Sequence, residues 1–226
     1  MKNKLPVITV DGPSGSGKGT LSRNIANALG WHFLDSGSLY RLLALAAMKQ
    51  NIPLDNHQQL VTQASLLDVV FANNEKVLLD NQDVTTDIRT ESCAQAASKV
   101  AAIAQVRTAL LERQRAFLKP PGLVADGRDM GTIVFPLADL KIFLDASAQI
   151  RAKRRQEQLK DQGVDVSLDD LLAEISARDL RDRQREVAPL VPAGDAIVLD
   201  STAMSIDDVF DAVMAEVKSR ALNQPN

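Results

Sequence analysis

Short apolar runs recur along the chain, and stretches with the spacing of amphipathic helices separate them. Each run ends at or beside an aspartate, as expected for buried parallel strands whose carboxyl ends lie along one edge of a sheet. Because helical stretches fill the gaps, we predict an α/β fold with a five-stranded parallel sheet and right-handed crossovers. The predicted strands cover residues 5–10, 32–34, 123–125, 141–144 and 196–199, and the aspartates are Asp11, Asp35, Asp126, Asp145 and Asp200.

Two segments interrupt this alternation of strands and helices. Residues 67–85 contain three short apolar stretches separated by turn residues at 73–74 and 80–81, a pattern that predicts a small antiparallel β insert. Residues 151–186 are highly charged, and the turn that begins at Gly163 divides them into two predicted helices.

The first predicted strand leads directly into a glycine-rich turn, which opens a helix with Leu21 and Ile25 on one face. Such a turn directs successive backbone N–H groups at a polyphosphate, and its lysine reaches the β- and γ-phosphates. The residues predicted to bind ATP are Gly12, Pro13, Ser14, Gly15, Ser16, Gly17, Lys18, Gly19 and Thr20. Because Gly19 occupies the usual Ser/Thr position, the hydroxyl comes one residue later, as in the GKGT form of nucleoside-monophosphate kinases.

Composition limits the classes of protein to consider. The 226 residues carry a formal net charge of −3, so the chain lacks the basic excess of proteins that bind long nucleic acids. The single Cys93 excludes an internal disulfide and a four-cysteine zinc site, and we expect it to be a buried small apolar residue. No apolar run is long enough to cross a membrane, so we expect a cytoplasmic protein without a membrane partner.

Arginines gather near two predicted strand ends. Arg41 follows the second core strand and Arg128 follows the third. A guanidinium group binds phosphate through two nitrogens and keeps its charge when desolvated, so these arginines predict a second anion that faces the glycine-rich turn. A weaker cluster of Arg151, Arg154 and Arg155 is better explained as a solvated helix face.

A helical wheel of the second charged helix brings several of its arginines together. The predicted arc holds Arg178, Arg181, Asp182 and Arg185. Asp179 and Arg183 lie outside this arc, so one aspartate balances three arginines, and a phosphate would compensate the excess. The alternative is a solvated face with ion pairs one turn apart. With a phosphate as partner, the segment is expected to be open without ligand and to close over both nucleotides. Closure would bring Arg185 onto the transferring group, with Arg154 and Arg155 as further candidates.

These groups suit phosphoryl transfer to a nucleoside monophosphate. Its acceptor oxygen is already mostly ionised at neutral pH, since the second pKa of a phosphate monoester is about 6. The problem is therefore electrostatic, and Lys18, Mg²⁺ and several arginines would spread the charge of the transferring group.

Five motifs together resemble those of the bacterial cytidylate kinases over about residues 5–202. They are GPSGSGKGT at 12–20, LDSGSLYR at 34–41, ADGRDMGT at 125–132, RDLRDR at 178–183 and APL at 188–190. The resemblance implies ATP- and Mg²⁺-dependent conversion of CMP and dCMP to CDP and dCDP in pyrimidine nucleotide metabolism. It also implies a P-loop three-layer fold with a helical lid, and we expect a monomer.

The same resemblance divides the chain and assigns its site residues. The implied core is about 1–35, 118–150 and 187–226, the monophosphate-binding part with its insert about 36–117, and the lid about 151–186. The implied CMP contacts are Ser36, Arg41 and Arg128 to the phosphate, Ser98, Arg107 and Asp129 to the cytosine edge, and Arg178 and Asp182 to the sugar. The catalytic residues are then Lys18, Arg128 and Arg185, and no protein side chain is assigned as a direct metal ligand.

The base contacts agree with the chemistry of cytosine. Its exocyclic amine donates hydrogen bonds, which Asp129 and Ser98 can accept, and its ring oxygen and nitrogen accept from an arginine such as Arg107. Uracil would present a carbonyl to Asp129, and an unmatched buried acceptor costs about 1–3 kcal/mol.

Three other functions are weighed against this interpretation. A P-loop kinase for a small alcohol conflicts with the long insert and with the lack of an obvious base motif. A regulatory GTP-binding switch would carry DxxG and NKxD, and neither pattern occurs in the sequence. A nucleotide-dependent module that binds nucleic acid conflicts with the acidic charge and the 4% aromatic content.

Overall fold

The computed structural model describes residues 4–71, 76–161 and 163–222. They belong to two compact units, a core unit drawn from Met1–Leu34 and Ala116–Asn226 and an insert unit, Asp35–Arg115. The predicted turn at 73–74 lies outside the described residues.

The strands and helices are numbered in chain order. The strands are β1 (Val7–Asp11), β2 (His32–Asp35), β3 (Val69–Phe71), β4 (Val77–Leu79), β5 (Gln82–Asp83), β6 (Leu123–Gly127), β7 (Leu140–Asp145) and β8 (Ile197–Asp200). The helices are α1 (Lys18–Leu29), α2 (Ser36–Lys49), α3 (His57–Leu66), α4 (Glu91–Val100), α5 (Ala104–Arg115), α6 (Ala148–Asp161), α7 (Leu168–Arg183) and α8 (Ile206–Ser219). A 3₁₀ turn covers Asp87–Arg89, and a π-helical turn covers Met130–Val134.

The core unit contains a parallel sheet in the order β2-β6-β1-β7-β8. Its central strand β1 is buried along its whole length, with Val10 opposite Asp126 of β6 and Ile142 of β7. Such burial on both faces requires the continuous apolar runs seen in the sequence. The predicted five-stranded parallel sheet is confirmed, and the aspartates lie at or beside the carboxyl ends of its strands.

Helices α1 and α8 pack against this sheet with an apolar stripe each. Leu21 and Ile25 of α1 share one buried cluster with Val209 and Val213 of α8 and with side chains of β1, β6 and β7. The hydroxyl of Ser205 caps the amino end of α8. This packing fixes where α1 begins, and hence the position of the glycine-rich turn before it.

Helices α6 and α7 confirm the predicted pair in the charged segment. They pack on each other through Ala152, Leu171 and Ile175. The helical wheel did not predict burial: Asp179, outside the predicted arc, is buried, while Arg181, within it, is exposed.

The helical wheel gives a wrong position for Arg185, near the carboxyl end of α7. Helix α7 ends at Arg183, with Gln184 as its C-cap, so Arg185 lies beyond the helix instead of on its stripe. A helical wheel gives only the angles of residues on one helix. Asp179 is buried because Arg151 of the neighbouring helix α6 neutralises it.

The insert unit is built from α2 to α5 around its own apolar core, together with an antiparallel sheet in the order β3-β4-β5. The predicted antiparallel insert is confirmed. Asp80 and Asn81 form the turn between β4 and β5 with φ of 50° and 62°, which suits a two-residue hairpin. Cys93 is buried in this core, as predicted.

Within the described parts of the chain, no helix combines the length and the apolar character that a membrane crossing requires.

Candidate active site

The glycine-rich turn runs from β1 into α1 against the backbone of neighbouring elements. A Cβ on Gly12 would lie 2.1 Å from the carbonyl oxygen of Leu144, so no larger residue fits there. Gly15 has a φ of 79°, and a Cβ on it would lie 3.1 Å from Cβ of Arg151. The loop is thus held between β7 and α6 by close approaches that only glycine permits.

Lys18 lies at the first position of α1 and is buried. Its Nζ donates to the carbonyl oxygen of Pro13 at 3.1 Å and lies 3.9 Å from Oδ1 of Asp126. The other oxygen of Asp126 lies 3.1 Å from the position that a Cβ on Gly19 would occupy. The absence of a side chain at Gly19 therefore leaves room for the Asp126 carboxylate, and the hydroxyl-bearing Thr20 is exposed.

Two arginines of α6 contact the loop from the side of that helix. Arg151 donates from Nη1 to the carbonyl oxygen of Ser14 at 3.0 Å, and Arg154 donates to that of Ser16 at 3.4 Å. Only 2% of Arg151 is exposed, and its guanidinium pairs with both carboxylate oxygens of Asp179. The prediction of a solvated face is therefore wrong for Arg151, because its charge is buried against a paired carboxylate.

A cavity of about 210 Å³ lies beside the loop in the core unit. Ser16 and Arg154 line it together with apolar side chains that include Leu144 and Ile206. Apolar walls with a few polar groups are the general composition of small-molecule sites.

A second charged cluster in the core unit is centred on Asp182. Arg128 donates from Nε to Oδ2 of Asp182 at 2.9 Å, and Nη2 of Arg185 lies 3.6 Å from Oδ1. Burial alone would raise the pKa of Asp182, but Arg128, Arg185 and Arg178 together lower it. Three guanidinium groups thus act on one carboxylate.

Arg128 itself is held by carboxylates. Burial would lower its pKa, but Asp182, followed by Asp126 and Asp11, outweighs burial and raises it. Arg128 therefore stays charged, which a phosphate ligand requires.

Asp11 holds the turn that follows Arg128. Its two oxygens accept one hydrogen bond each from the backbone N–H groups of Met130 and Gly131, both at 2.8 Å. Burial raises the pKa of Asp11 to about 6, although these two hydrogen bonds oppose the shift. The buried Asp129 lies directly before the clamped residues, so Asp11 fixes the backbone that carries Arg128 and Asp129.

The remaining predicted CMP contacts belong to the insert unit. Ser36 is buried at the start of α2, and Arg41 of the same helix donates to the carbonyl oxygen of Ile88 at 2.7 Å. The hydroxyl of Ser98 is buried and has no hydrogen-bond partner among the described residues. Arg107 is also buried, donates to the carbonyl oxygen of Ala101 at 3.1 Å, and lies 5.4 Å above the ring of Tyr40.

Comparison with known proteins decides the family. The family model for cytidylate kinases matches residues 8–219. A cytidylate kinase of Aeromonas hydrophila is 59% identical over 218 residues, which cover 95% of both chains, and one of Shewanella loihica is 53% identical over 224 residues, which cover 97% of both. The chain belongs to the cytidylate kinase family.

This membership gives the reaction. As a cytidylate kinase the chain is a phosphotransferase that uses ATP to convert CMP and dCMP to CDP and dCDP. A solved structure, TT1252 from Thermus thermophilus, covers 95% of the chain and is itself covered to 99%, with 20% identity and a TM-score of 0.45. The fold assignment rests instead on the topology of the two sheets.

Within the core unit of this cytidylate kinase, the structure brings Arg128, Asp182 and Arg185 into one cluster and Lys18 next to Asp126. The sequence analysis missed the roles of Asp11 and Asp126, which it used only as markers of strand ends. A carboxylate that ends a buried apolar strand was the available signal, since such a group needs hydrogen-bond donors or a cation close by.

Arg151 and Asp179 carried no such signal. Each stands in a charged helix where solvated residues are the ordinary case, and 28 residues separate them. Only the packing of α6 on α7 makes them partners.

Proposed function

We propose that residues 12–20 bind the triphosphate of ATP and that the acceptor CMP is bound by the residues singled out in the sequence. They are Ser36, Arg41 and Arg128 for the phosphate, Ser98, Arg107 and Asp129 for the base, and Arg178 and Asp182 for the sugar. The observation that carries this proposal is the gathering of Arg128, Arg178 and Arg185 around Asp182. Guanidinium groups gathered in this way suit an acceptor phosphate, which each can bind through two nitrogens.

Transfer needs no strong general base, because the acceptor oxygen of CMP is ionised before reaction. Lys18 contacts the β- and γ-phosphates and stabilises the charge that moves during transfer. Arg128 orients the acceptor phosphate, and Arg185 approaches the transferring group when the 151–186 segment closes and excludes water. Binding of the two polyanions then favours closure, since each brings negative charge to an arginine cluster.

We assign Mg²⁺ as the cofactor that accompanies ATP. The Asp126 carboxylate beside Gly19 and Lys18 fits a small hard cation, because carboxylate oxygens are the ligands that such a cation prefers. Asp126 would hold the ion, with retained waters completing its shell. When bound, Mg²⁺ would neutralise part of the phosphate charge.

Ser98 and Asp129 select cytosine in this proposal. The buried hydroxyl of Ser98, for which the described residues offer no partner, supports a role in ligand binding because an unsatisfied buried hydroxyl is costly. The cavity beside the loop is assigned to the adenine of ATP, with Arg154 as its polar wall.

A coupled phosphotransfer assay over CMP, dCMP, UMP, AMP and GMP tests the proposal. We expect CMP and dCMP to be the best acceptors, UMP to be poorer, and AMP and GMP to be far behind. Equal rates with AMP would exclude the assigned base contacts. The donor panel of ATP and GTP, run with EDTA as the metal-free arm, tests the ATP and Mg²⁺ assignments.

Asp129→Asn is the sharpest test of base selection. The amide can donate to uracil O4, so the ratio of kcat/KM for CMP to that for UMP should fall about tenfold. An unchanged ratio would remove Asp129 from base recognition.

We also propose that the protein is a monomer and acts in the cytoplasm. Sedimentation analysis of the full-length protein tests the monomeric state.

A further inference from the structure

Two carbonyl oxygens of the phosphate-binding loop are bonded by side chains of α6. Arg151 donates to Ser14 at 3.0 Å, and Arg154 donates to Ser16 at 3.4 Å. In a trans peptide the carbonyl and the following N–H point in opposite directions. The N–H groups of Gly15 and Gly17 are therefore turned away from α6. A loop that binds phosphate needs this arrangement, with carbonyls directed out and N–H groups left for the anion.

Arg151 makes the stronger of these contacts and is itself rigidly held. Its Nε donates to the carbonyl oxygen of Ala146 at 2.8 Å, while its two terminal nitrogens bond the two oxygens of Asp179. The side chain is 2% exposed, and a guanidinium is tolerated at that depth because Asp179 neutralises it. Its stem also lies against Gly15, where a Cβ would be 3.1 Å away.

We infer that Arg151 and Asp179 are a positioning pair that shapes the phosphate-binding loop from outside. Arg151 fixes the peptide between Ser14 and Gly15, and Asp179 fixes Arg151. Neither side chain needs to touch ATP for this role. The inference rests on the proposed binding of triphosphate by residues 12–20, and it adds that the affinity of this loop depends on a residue of α7.

The geometry requires an arginine. Its planar fork reaches the Ser14 carbonyl, the Ala146 carbonyl and both oxygens of Asp179 at once. A lysine would preserve the charge next to Asp179 but has a single nitrogen on a flexible stem. Arg151→Lys therefore separates the positioning role from charge neutralisation.

The test measures binding of ATP and of inorganic tripolyphosphate to the full-length protein by calorimetry at fixed Mg²⁺. Arg151→Lys should weaken both ligands by about tenfold, the scale of one lost hydrogen bond to a charged group. The KM for CMP should change by less than about twofold. Equal losses for the two ligands assign the effect to the phosphates and not to adenine. Asp179→Asn keeps the Arg151 contacts to both carbonyls and should weaken both ligands by about threefold.

Lys153→Arg is the matched control, since it makes the reverse exchange on the exposed face of the same helix and should leave both affinities unchanged. Affinities of folded Arg151→Lys within twofold of the wild type would overturn the inference. So would equal losses for ATP and CMP, which indicate general distortion. If Arg151→Lys does not fold, Asp179→Asn decides, and unchanged triphosphate binding overturns the inference. A wild-type protein that binds neither ligand would instead overturn the ATP assignment itself.

Discussion

The glycine-rich loop at 12–20 and the arginine-rich segment at 151–186 are both proposed to bind anions, but they are built in opposite ways. The loop uses contiguous main chain, and its shape follows from glycines such as Gly12 and Gly15 that allow close backbone approach. The arginine segment uses side chains whose partners are distant in sequence. Arg151 pairs with a residue 28 positions away, and Arg128 pairs with Asp182 across 54 positions.

This difference predicts how each region fails. A loop built from main chain keeps its shape when one of its own side chains is removed, so substitution within the loop should affect chemistry more than folding. A buried ion pair is different, because removal of one partner leaves the other charge uncompensated at a cost of about 3–5 kcal/mol. Substitutions in the arginine segment should therefore mix structural and functional effects, and ratios of kinetic constants are needed to separate them.

Lys18→Ala tests the loop most severely. We expect turnover to fall by about a thousandfold or more, since Lys18 is proposed to contact charge that moves in the transition state. The circular dichroism spectrum and a cooperative thermal transition should be retained. Lys153→Ala, on the exposed face of α6, is the control for loss of a lysine. Turnover of Lys18→Ala within tenfold of the wild type would mean that the loop is not the donor site.

Arg185→Ala tests the arginine segment. We expect kcat to fall about a hundredfold and the KM for CMP to change only a few fold, as for a contact made mainly in the transition state. Arg183→Ala is the control, because Arg183 is exposed and forms only a 3.7 Å ion pair with Asp145. A loss that appears mainly as a higher KM would instead assign Arg185 to ground-state binding through Asp182.

The same contrast explains what the sequence could predict. All five core strands and the antiparallel insert were predictable, because strand burial and turn residues leave local patterns. The glycine-rich turn between β1 and α1 was predictable for the same reason, since it lies within nine consecutive residues.

The arginine segment was predicted only in part. A helical wheel assumes that the helix continues, and it could not show that α7 ends at Arg183. It also left Asp179 outside the arginine arc without a partner residue to predict, since nothing near Asp179 in sequence reveals the buried Arg151. Ion pairs between residues far apart in sequence leave no local signal. The resemblance, and not the sequence pattern, assigned roles to residues such as Ser98 and Arg107.

Asp11→Asn tests the contact by which Asp11, at the end of β1, holds the turn that follows Arg128. Burial raises the pKa of Asp11 to about 6 in the folded protein, above the value of about 3.9 for an unperturbed aspartate. The folded state thus favours the protonated form, so this group contributes stability below pH 4 that is lost as the pH rises to 6. Relative to Asp11→Asn, the free energy of unfolding of the wild type should fall by about 3 kcal/mol between these pH values.

Urea unfolding of both proteins across this pH range measures that difference. Arg128 and Asp129, the charged groups that act on Asp11, are unchanged in the variant. Asp200→Asn is the opposite control, because hydrogen bonds from Thr202 lower the pKa of Asp200 and its contribution is lost as the pH falls. A pH-independent difference between the wild type and Asp11→Asn would contradict the raised pKa.

Asp182→Ala is expected to give the smallest change of these variants, measured as a ratio between two substrates. It tests whether Asp182 contacts the sugar. The variant leaves Arg128, Arg178 and Arg185 without their shared carboxylate, so part of any loss is structural and applies to every substrate. The ratio of kcat/KM for CMP to that for dCMP cancels this part. If Asp182 accepts a hydrogen bond from the 2′-hydroxyl, which deoxyribose lacks, the ratio should fall by about fivefold. Identical losses for the two substrates would restrict Asp182 to its 2.9 Å ion pair with Arg128 and remove it from sugar recognition.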